Sequence, residues 1–157
     1  MTNMDRQPQL SRTLAIDIGD TFVGLAMTDR LGVTIEPLFT LRRTRLKDDA
    51  KNIARLVRKH EITEIVAGLP LNMDGSEGKR ALASREFADA VAQAAGIAVV
   101  YFDERLTTRE AHERLNQAGY GTQNRKEVLD QVAAVVLLES YLAERAYRAA
   151  RETPPVV

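Results

Sequence analysis

The sequence predicts a mixed α/β fold: a β-sheet that opens with antiparallel hairpin strands, continues with parallel strands, and is flanked by helices. Three observations predict it. Two short apolar runs, Leu14 to Ile18 and Val23 to Met27, are separated by the turn-forming Gly19-Asp20-Thr21. Segments of helical and strand-like periodicity then alternate, and the chain closes on a long helical pattern. Hairpin first, alternation second and helices last suit a mixed sheet covered by helices.

Each element has its own signal. After the hairpin, a third strand is expected from about Thr34 to Leu41, where Pro37 demands an edge position or a bulge because it cannot donate to a ladder. Leu46, Ala50, Ile53, Ala54 and Val57 recur at helical spacing, and Glu64 to Ala67 reads as a short buried strand. Three glycines and a proline make residues 68–78 an irregular loop, expected to be mobile and to meet substrate. A second helix follows with Ser84, Phe87, Ala88, Val91 and Ala95 on one face. Ile97 to Phe102 is β-prone, and Thr107-x-x-Glu110 has the capping-box pattern of a helix start. Beyond a polar linker from Gln117 to Asn124, a long helix is expected from about Lys126 to Arg148, and Pro154-Pro155 keeps it from reaching the end.

At 157 residues the chain fits one domain spanning 1–157, with a core of about 13–148 and both tails, 1–12 and 149–157, loosely held. No apolar stretch is long enough to cross a bilayer, and the start MTNMDRQPQLSR lacks the pattern of a signal peptide, so a cytoplasmic location is expected. The absence of cysteine excludes disulfides and thiolate chemistry. The two isolated histidines, His60 and His112, do not suit a histidine metal site, so any metal must be held by oxygen. Twenty-two basic residues balance twenty-two acidic ones, so phosphates would have to meet a local cluster: Arg42, Arg43, Arg45 and Lys47, or Arg125 and Lys126.

Three acids stand in apolar surroundings. Asp17 lies inside Leu-Ala-Ile-Asp-Ile, where an unpaired carboxylate would cost several kcal/mol unless a cation or donor cluster meets it. Glu104 ends the run Val99-Val-Tyr-Phe102 beside Asp103, and Asp130 precedes the apolar centre of the last helix. Singly, each has a structural explanation: a turn former, an ion-pair partner of Arg105 or Arg109, a polar residue of a helix's first turns. Together, at strand ends beside helix starts, they can converge into a magnesium or manganese site. Two such ions, roughly 3.5–4 Å apart, suit phosphodiester hydrolysis without a covalent nucleophile.

Four segments carry a resemblance to a known family. Ala15-Ile-Asp-Ile-Gly19 with Gly24-Leu-Ala26, the loop Gly68-Leu-Pro-Leu-Asn-Met-Asp-Gly-Ser-Glu-Gly78, Asp103-Glu-Arg-Leu-Thr-Thr108, and Asp130-Gln-Val-Ala-Ala134 occur in the order and spacing of the YqgF proteins. That family is also called RuvX, and its members are described as Holliday junction resolvases or pre-16S rRNA nucleases. The resemblance covers about residues 13–143. It implies a ribonuclease H-like fold, an acidic triad of Asp17, Glu104 and Asp130 for catalysis and metal binding, and two Mg2+ or Mn2+ ions. It also implies a cytoplasmic nuclease whose partner is a precursor rRNA, with the ribosome, or a branched DNA. One departure concerns the first hairpin turn, where similar proteins carry basic residues and this chain has Asp20-Thr21-Phe22.

Further substrate contacts are expected from Asn72 in the glycine-rich loop and from Lys79 and Arg80 just after it. Arg105 and Arg109 are placed to hold Glu104 or to reach a phosphate, and Tyr120 between two glycines could stack a base ahead of Arg125 and Lys126. Asp-Ile-Gly-Asp-Thr also resembles the first phosphate loop of actin-like ATPases and sugar kinases, but those clamp nucleotide between two such domains and 157 residues provide one. A binding module that kept the fold without chemistry is the other alternative, and the intact acid set argues against it. Paired cuts at a junction would call for a homodimer, and trimming an RNA end would suit a monomer.

Overall fold

A computed structural model of the protein describes residues 11–107, 113 and 125–152. β1 (Thr13–Ile18) and β2 (Phe22–Thr28) form the expected hairpin, antiparallel from Leu14 opposite Met27 to Ile18 opposite Val23. β3 (Ile35–Arg42) pairs antiparallel with β2 and is an edge strand, with an irregular register between Gly24 and Ala26. Pro37 therefore has both of the accommodations that a proline in a strand needs. α1 (Leu46–Lys59) leads to β4 (Glu64–Leu69), which lies parallel to β1, and α2 (Lys79–Ala95) leads to β5 (Val99–Asp103), parallel to β4. A single 3-10 turn, Glu104–Leu106, follows, and α3 (Arg125–Glu152) is the last described element. The sheet order is β3-β2-β1-β4-β5.

Alternation along the strands divides the core between the two faces. Leu14, Ile16, Val23, Leu25, Met27, Ile65 and Ala67 pack with Ile53 and Val57 of α1 and with Phe87 and Val91 of α2. Ala15, Ala26, Val66 and Phe102 face the other way, onto Ala134, Leu137 and Leu138 of α3. Fully burying a side chain such as Phe87 or Leu137 contributes about 1.5–3 kcal/mol. The α3 face is built from smaller residues, so this helix can lie close to the sheet. Its closest approach is at Gly24, where a Cβ would stand 1.8 Å from the Asp130 carbonyl oxygen.

Several boundaries differ from the sequence expectation. β4 continues two residues beyond Ala67 because Gly68 and Leu69 still pair with Phe102 and Asp103. β5 begins at Val99, its register being set by Ile65. Nor are residues 11–12 and 149–152 loose: α3 is helical through Glu152, and Arg12 donates from Nε to the Thr28 carbonyl at 2.9 Å and from Nη1 to the His60 carbonyl at 3.2 Å. The helix expected from Thr107-x-x-Glu110, His112, the linker from Gln117 to Asn124 and Pro154-Pro155 lie outside the described residues. Among the described residues no helix is long and apolar enough to cross a membrane.

Candidate active site

Asp17 is on β1 opposite Gly24 of β2, and the alternation that turns Leu14 and Ile16 toward α1 and α2 turns Asp17, like Ala15, toward α3. Glu104 follows the last residue of β5 on the 3-10 turn, and Asp130 lies in the early turns of α3. Three separate stretches of chain thus bring Asp17, Glu104 and Asp130 to one cleft of about 240 Å³, which Arg80, Pro70 and Thr107 also line. The convergence expected from sequence is what the fold produces.

Two strand-interior glycines make room for it. A Cβ on Gly68 would lie 2.4 Å from a Glu104 carboxylate oxygen, and one on Gly24 would collide with the Asp130 backbone. In the middle of a strand a glycine costs stability and commonly marks a close approach. Here what approaches is an acid in each case.

Burial pushes the Asp17 carboxyl well above the usual carboxylate range, and the neighbouring Glu104 charge raises it further. A hydrogen bond with Glu104 and the Asp130 charge act in the same direction, while the Arg80 guanidinium opposes them. Two carboxyls in hydrogen-bond contact must share a proton unless a cation replaces it. Among the described residues no three such side chains form a ready-made ligand shell. The donor chemistry nevertheless suits a hard divalent ion: oxygen ligands only, a proton to displace, and crowded negative charge that a cation would relieve.

The expected substrate contacts divide. Arg80, in the first turn of α2, lines the cleft. Lys79 begins the same helix and is exposed, without lining it. Asn72 is turned into its own loop, donating from Nδ2 to Ser76 Oγ at 2.9 Å. Arg105 neither pairs with Glu104 nor extends toward the cleft. Its guanidinium grips Asp103 from Nε at 3.0 Å and from Nη2 at 2.7 Å, and Nη1 donates to the Met73 carbonyl at 3.2 Å. Asp103 caps the 3-10 turn, its carboxylate also accepting from the Arg105 amide at 2.9 Å, which keeps the two side chains together. Arg109 and Tyr120 lie outside the described residues, and of Arg125 and Lys126 only the helical backbone is described.

The loop after β4 carries hydrogen bonds of its own. Asp74 accepts from the Ser76 amide at 2.9 Å and from its hydroxyl at 2.6 Å, and the Gly75 amide donates to the Asn72 carbonyl at 2.9 Å. In the basic cluster at the end of β3, Arg43 is engaged within the fold. Its Nη1 donates to the Gly19 carbonyl at 3.0 Å, and the guanidinium lies 5.2 Å from the centre of the Phe87 ring. It secures the first turn rather than awaiting phosphate. Thr107, which the sequence pattern presents only as a helix cap, lines the cleft, and its hydroxyl donates to the Glu104 carbonyl at 2.6 Å.

Comparison with known proteins agrees with this arrangement. Residues 11–144 match the family model described as RuvX: Holliday junction resolvase. A Myxococcus xanthus protein named "Putative pre-16S rRNA nuclease" is 48% identical over 131 residues, covering 83% of this chain and 87% of that protein. One of the same name from Heliobacterium modesticaldum is 40% identical over 141 residues, covering 90% and 95%. Among solved structures, T. thermophilus RuvC in complex with a Holliday junction substrate superposes with a TM-score of 0.59 over 86% of this chain and 96% of its own, at 12% identity. At that identity the likeness speaks for the fold alone, which is ribonuclease H-like.

Proposed function

The chain belongs to the RuvX family, and on that premise we propose that it is a cytoplasmic, divalent-metal-dependent endonuclease acting chiefly at the 5′ end of precursor 16S rRNA. The observation that carries this reading is the meeting of Asp17, Glu104 and Asp130 in one cleft, where burial and the neighbouring Glu104 charge raise the Asp17 carboxyl above the usual carboxylate range. These three residues would hold Mg2+ or Mn2+, two ions in the full site. Bound there, a divalent cation would supply charge to polarise the phosphodiester and would lower the pKa of a water, so that on losing its proton it could attack as hydroxide.

The protein's own groups orient that reaction. Arg80 lines the cleft, where its guanidinium can clamp two oxygens of a phosphate with two parallel hydrogen bonds. Thr107 holds the Glu104 backbone, so the carboxylate departs from a fixed point. A second substrate, the four-way DNA junction, has the family's own description in its favour. Paired cuts in a junction would require two copies of the chain, whereas trimming an RNA end requires one.

The test incubates wild type and Asp17→Asn with a labelled rRNA precursor and with a four-way DNA junction, each in magnesium, manganese or chelator. Metal-dependent cleavage by wild type, absent in the variant, is expected, with the precursor RNA cut in preference. Cleavage that survives chelation, or that Asp17→Asn retains, would defeat the assignment of the acids. Tight binding without cleavage of either substrate would instead mark a nucleic-acid-binding module.

A further inference from the structure

The cations of this chain are unevenly employed. Arg12, Arg85, Arg105, Arg145 and Arg148 close ion pairs with Glu36, Glu77, Asp103, Glu64 and Glu144 respectively. Lys47, Lys51, Arg55, Arg58 and Lys59 of α1 are all exposed, and among the described residues none of them pairs with an acid. They share the side of the helix opposite Ala50, Ile53, Ala54 and Val57, which enter the core. Lys47, Lys51, Arg55 and Lys59 succeed one another at i,i+4, the spacing at which like charges repel and weaken a helix. Of the two acids in α1, Asp49 is buried and accepts from the Thr44 amide at 2.9 Å and its hydroxyl at 2.7 Å, so Asp48 alone offsets the five. A solvated helix face is ordinarily laced with both signs of charge, and this one is not. Its upper end lies beside the acids. Because α1 leads into β4, which is parallel to β1, the helix starts at the end of the sheet where Asp17 stands. The Arg43 amide donates to the Thr21 carbonyl at 2.8 Å and its guanidinium to the carbonyl of Gly19, a residue that lines the acid cleft. Exposed Arg42, its guanidinium 5.9 Å from the centre of the Phe22 ring, and exposed Arg45 carry the positive charge from that turn to Lys47.

We propose that the outer face of α1, entered by way of Arg42 and Arg45, is a second nucleic-acid site: a sequence-independent track for the phosphate backbone of a double-helical segment flanking the cut. This rests on the nuclease reading above and adds to it where the uncut part of the substrate lies. The chemistry of the face selects the ligand. Proteins that hold single strands combine positive charge with aromatic rings on which bases stack, and α1 contains no aromatic residue. A convex helix surface cannot enclose bases, but it can lie along a duplex. The fourteen residues of α1 span about 21 Å, the axial length of roughly six phosphates on one strand. Contacts of this kind fix the position of a nucleic acid without reading its sequence. Because the track begins beside Gly19, a stem held on it brings the adjoining strand to the acids.

The test measures Kd by fluorescence anisotropy over a range of KCl concentrations, with Asp17→Asn in magnesium so that substrate binds without being cut. Three labelled probes are used: an RNA stem with a single-stranded extension, the extension alone, and a four-way DNA junction, whose arms are duplexes. Adding Lys51→Gln, Arg55→Gln and Arg58→Gln should weaken binding of the duplex probes on the order of 100-fold at about 0.1 M salt. It should also flatten the slope of log Kd against log salt by about 2.7, the loss of three duplex phosphate contacts. Glutamine keeps the helix propensity of the residues it replaces, so the variant stays folded, which circular dichroism checks. Lys51→Arg with Arg55→Lys and Arg58→Lys should keep the slope, as should Arg145→Gln with Arg148→Gln, which removes paired cations from α3. The track stands if either duplex probe shows the loss and the extension alone does not. It is overturned if neither slope moves, if the α3 variant lowers it as much, or if the extension loses as much as the stem. Binding to phosphatidylserine vesicles that the triple variant loses, with both duplex slopes unmoved, would give the face to a membrane instead. Metal-dependent cleavage by wild type with an unmoved slope keeps the nuclease and removes the track, and a moved slope without cleavage does the reverse. Absence of binding to all three probes defeats the two together.

Discussion

Gly24→Ala is the most exacting perturbation of the site, because it leaves all three carboxylates in the sequence and changes only the room beside one of them. A Cβ at this position would lie 1.8 Å from the Asp130 carbonyl oxygen and 2.4 Å from the Asp130 carbonyl carbon, both backbone atoms that no side-chain rotation can move aside. Restoring even the 3.4 Å of an ordinary contact requires α3 to retreat from β2 by about 1.6 Å at the residue that carries the third carboxylate. Overpacking of this kind costs about 1–3 kcal/mol. For a chain of this size that is a fall in Tm of roughly 2–12 °C. The larger effect is on chemistry, since a misplacement on the order of 1 Å can cost about 100-fold in rate. The expected outcome is a kcat some 100-fold lower, measured on folded protein below its reduced Tm, with magnesium raising Tm less than it does in wild type. A variant that cuts at the wild-type rate, or that is fully stable and fully active, would refute the claim that the α3–β2 contact sets the acid geometry.

Two other outcomes follow from the same structure. Because Asp17 titrates above the usual carboxylate range, the native state holds a proton that the unfolded chain has released, so metal-free stability falls as pH rises from just below 3.8 toward the raised value. Asp17→Asn removes that loss: in chelator it should melt above wild type at pH 7.5, with the gain vanishing near pH 3.5, and a lower Tm at pH 7.5 would contradict the burial argument. Arg105→Lys keeps the charge and removes the fork, so amides of residues 72–76 should exchange with deuterium faster while Tm stays within a degree or so, as expected of an exposed pair. Unchanged exchange would mean that the latch on Met73 does not hold.

The acids are legible in the sequence for a physical reason. A carboxylate inside Leu-Ala-Ile-Asp-Ile, or at the end of a β-prone run, is too costly to be incidental, and the hairpin and alternating segments bring such positions to one end of a sheet. The partners of the basic residues are not legible, because they depend on local geometry that residue types do not encode. Arg105 goes to Asp103 rather than Glu104 through one 3-10 turn. Arg43 turns to the Gly19 carbonyl because β3 ends beside the first turn, a fact of strand register. The place of Asn72 in a glycine-rich loop suggests a substrate contact, but an amide two bonds from its backbone finds the loop's own serine first.

The site can therefore be understood as much from missing side chains as from those present. Gly24 and Gly68 weaken the strands they occupy by roughly 0.5–1 kcal/mol each relative to alanine. Each does so where an acid must stand closer to the sheet than any side chain would permit. The acids in turn are mutually repulsive, and burial together with the Glu104 and Asp130 charges raises the Asp17 carboxyl above the usual carboxylate range. A core chosen for stability alone would fill both gaps with alanine or valine and move the carboxylates apart. The fold keeps them together against both penalties, and the apolar layer in which Ala134, Leu137 and Leu138 of α3 meet Ala15, Val66 and Phe102 holds that helix and the end of β5 on the sheet despite them. A cation entering the cleft removes the repulsive part of that strain, so metal binding and the stability of the acid cluster must rise and fall together.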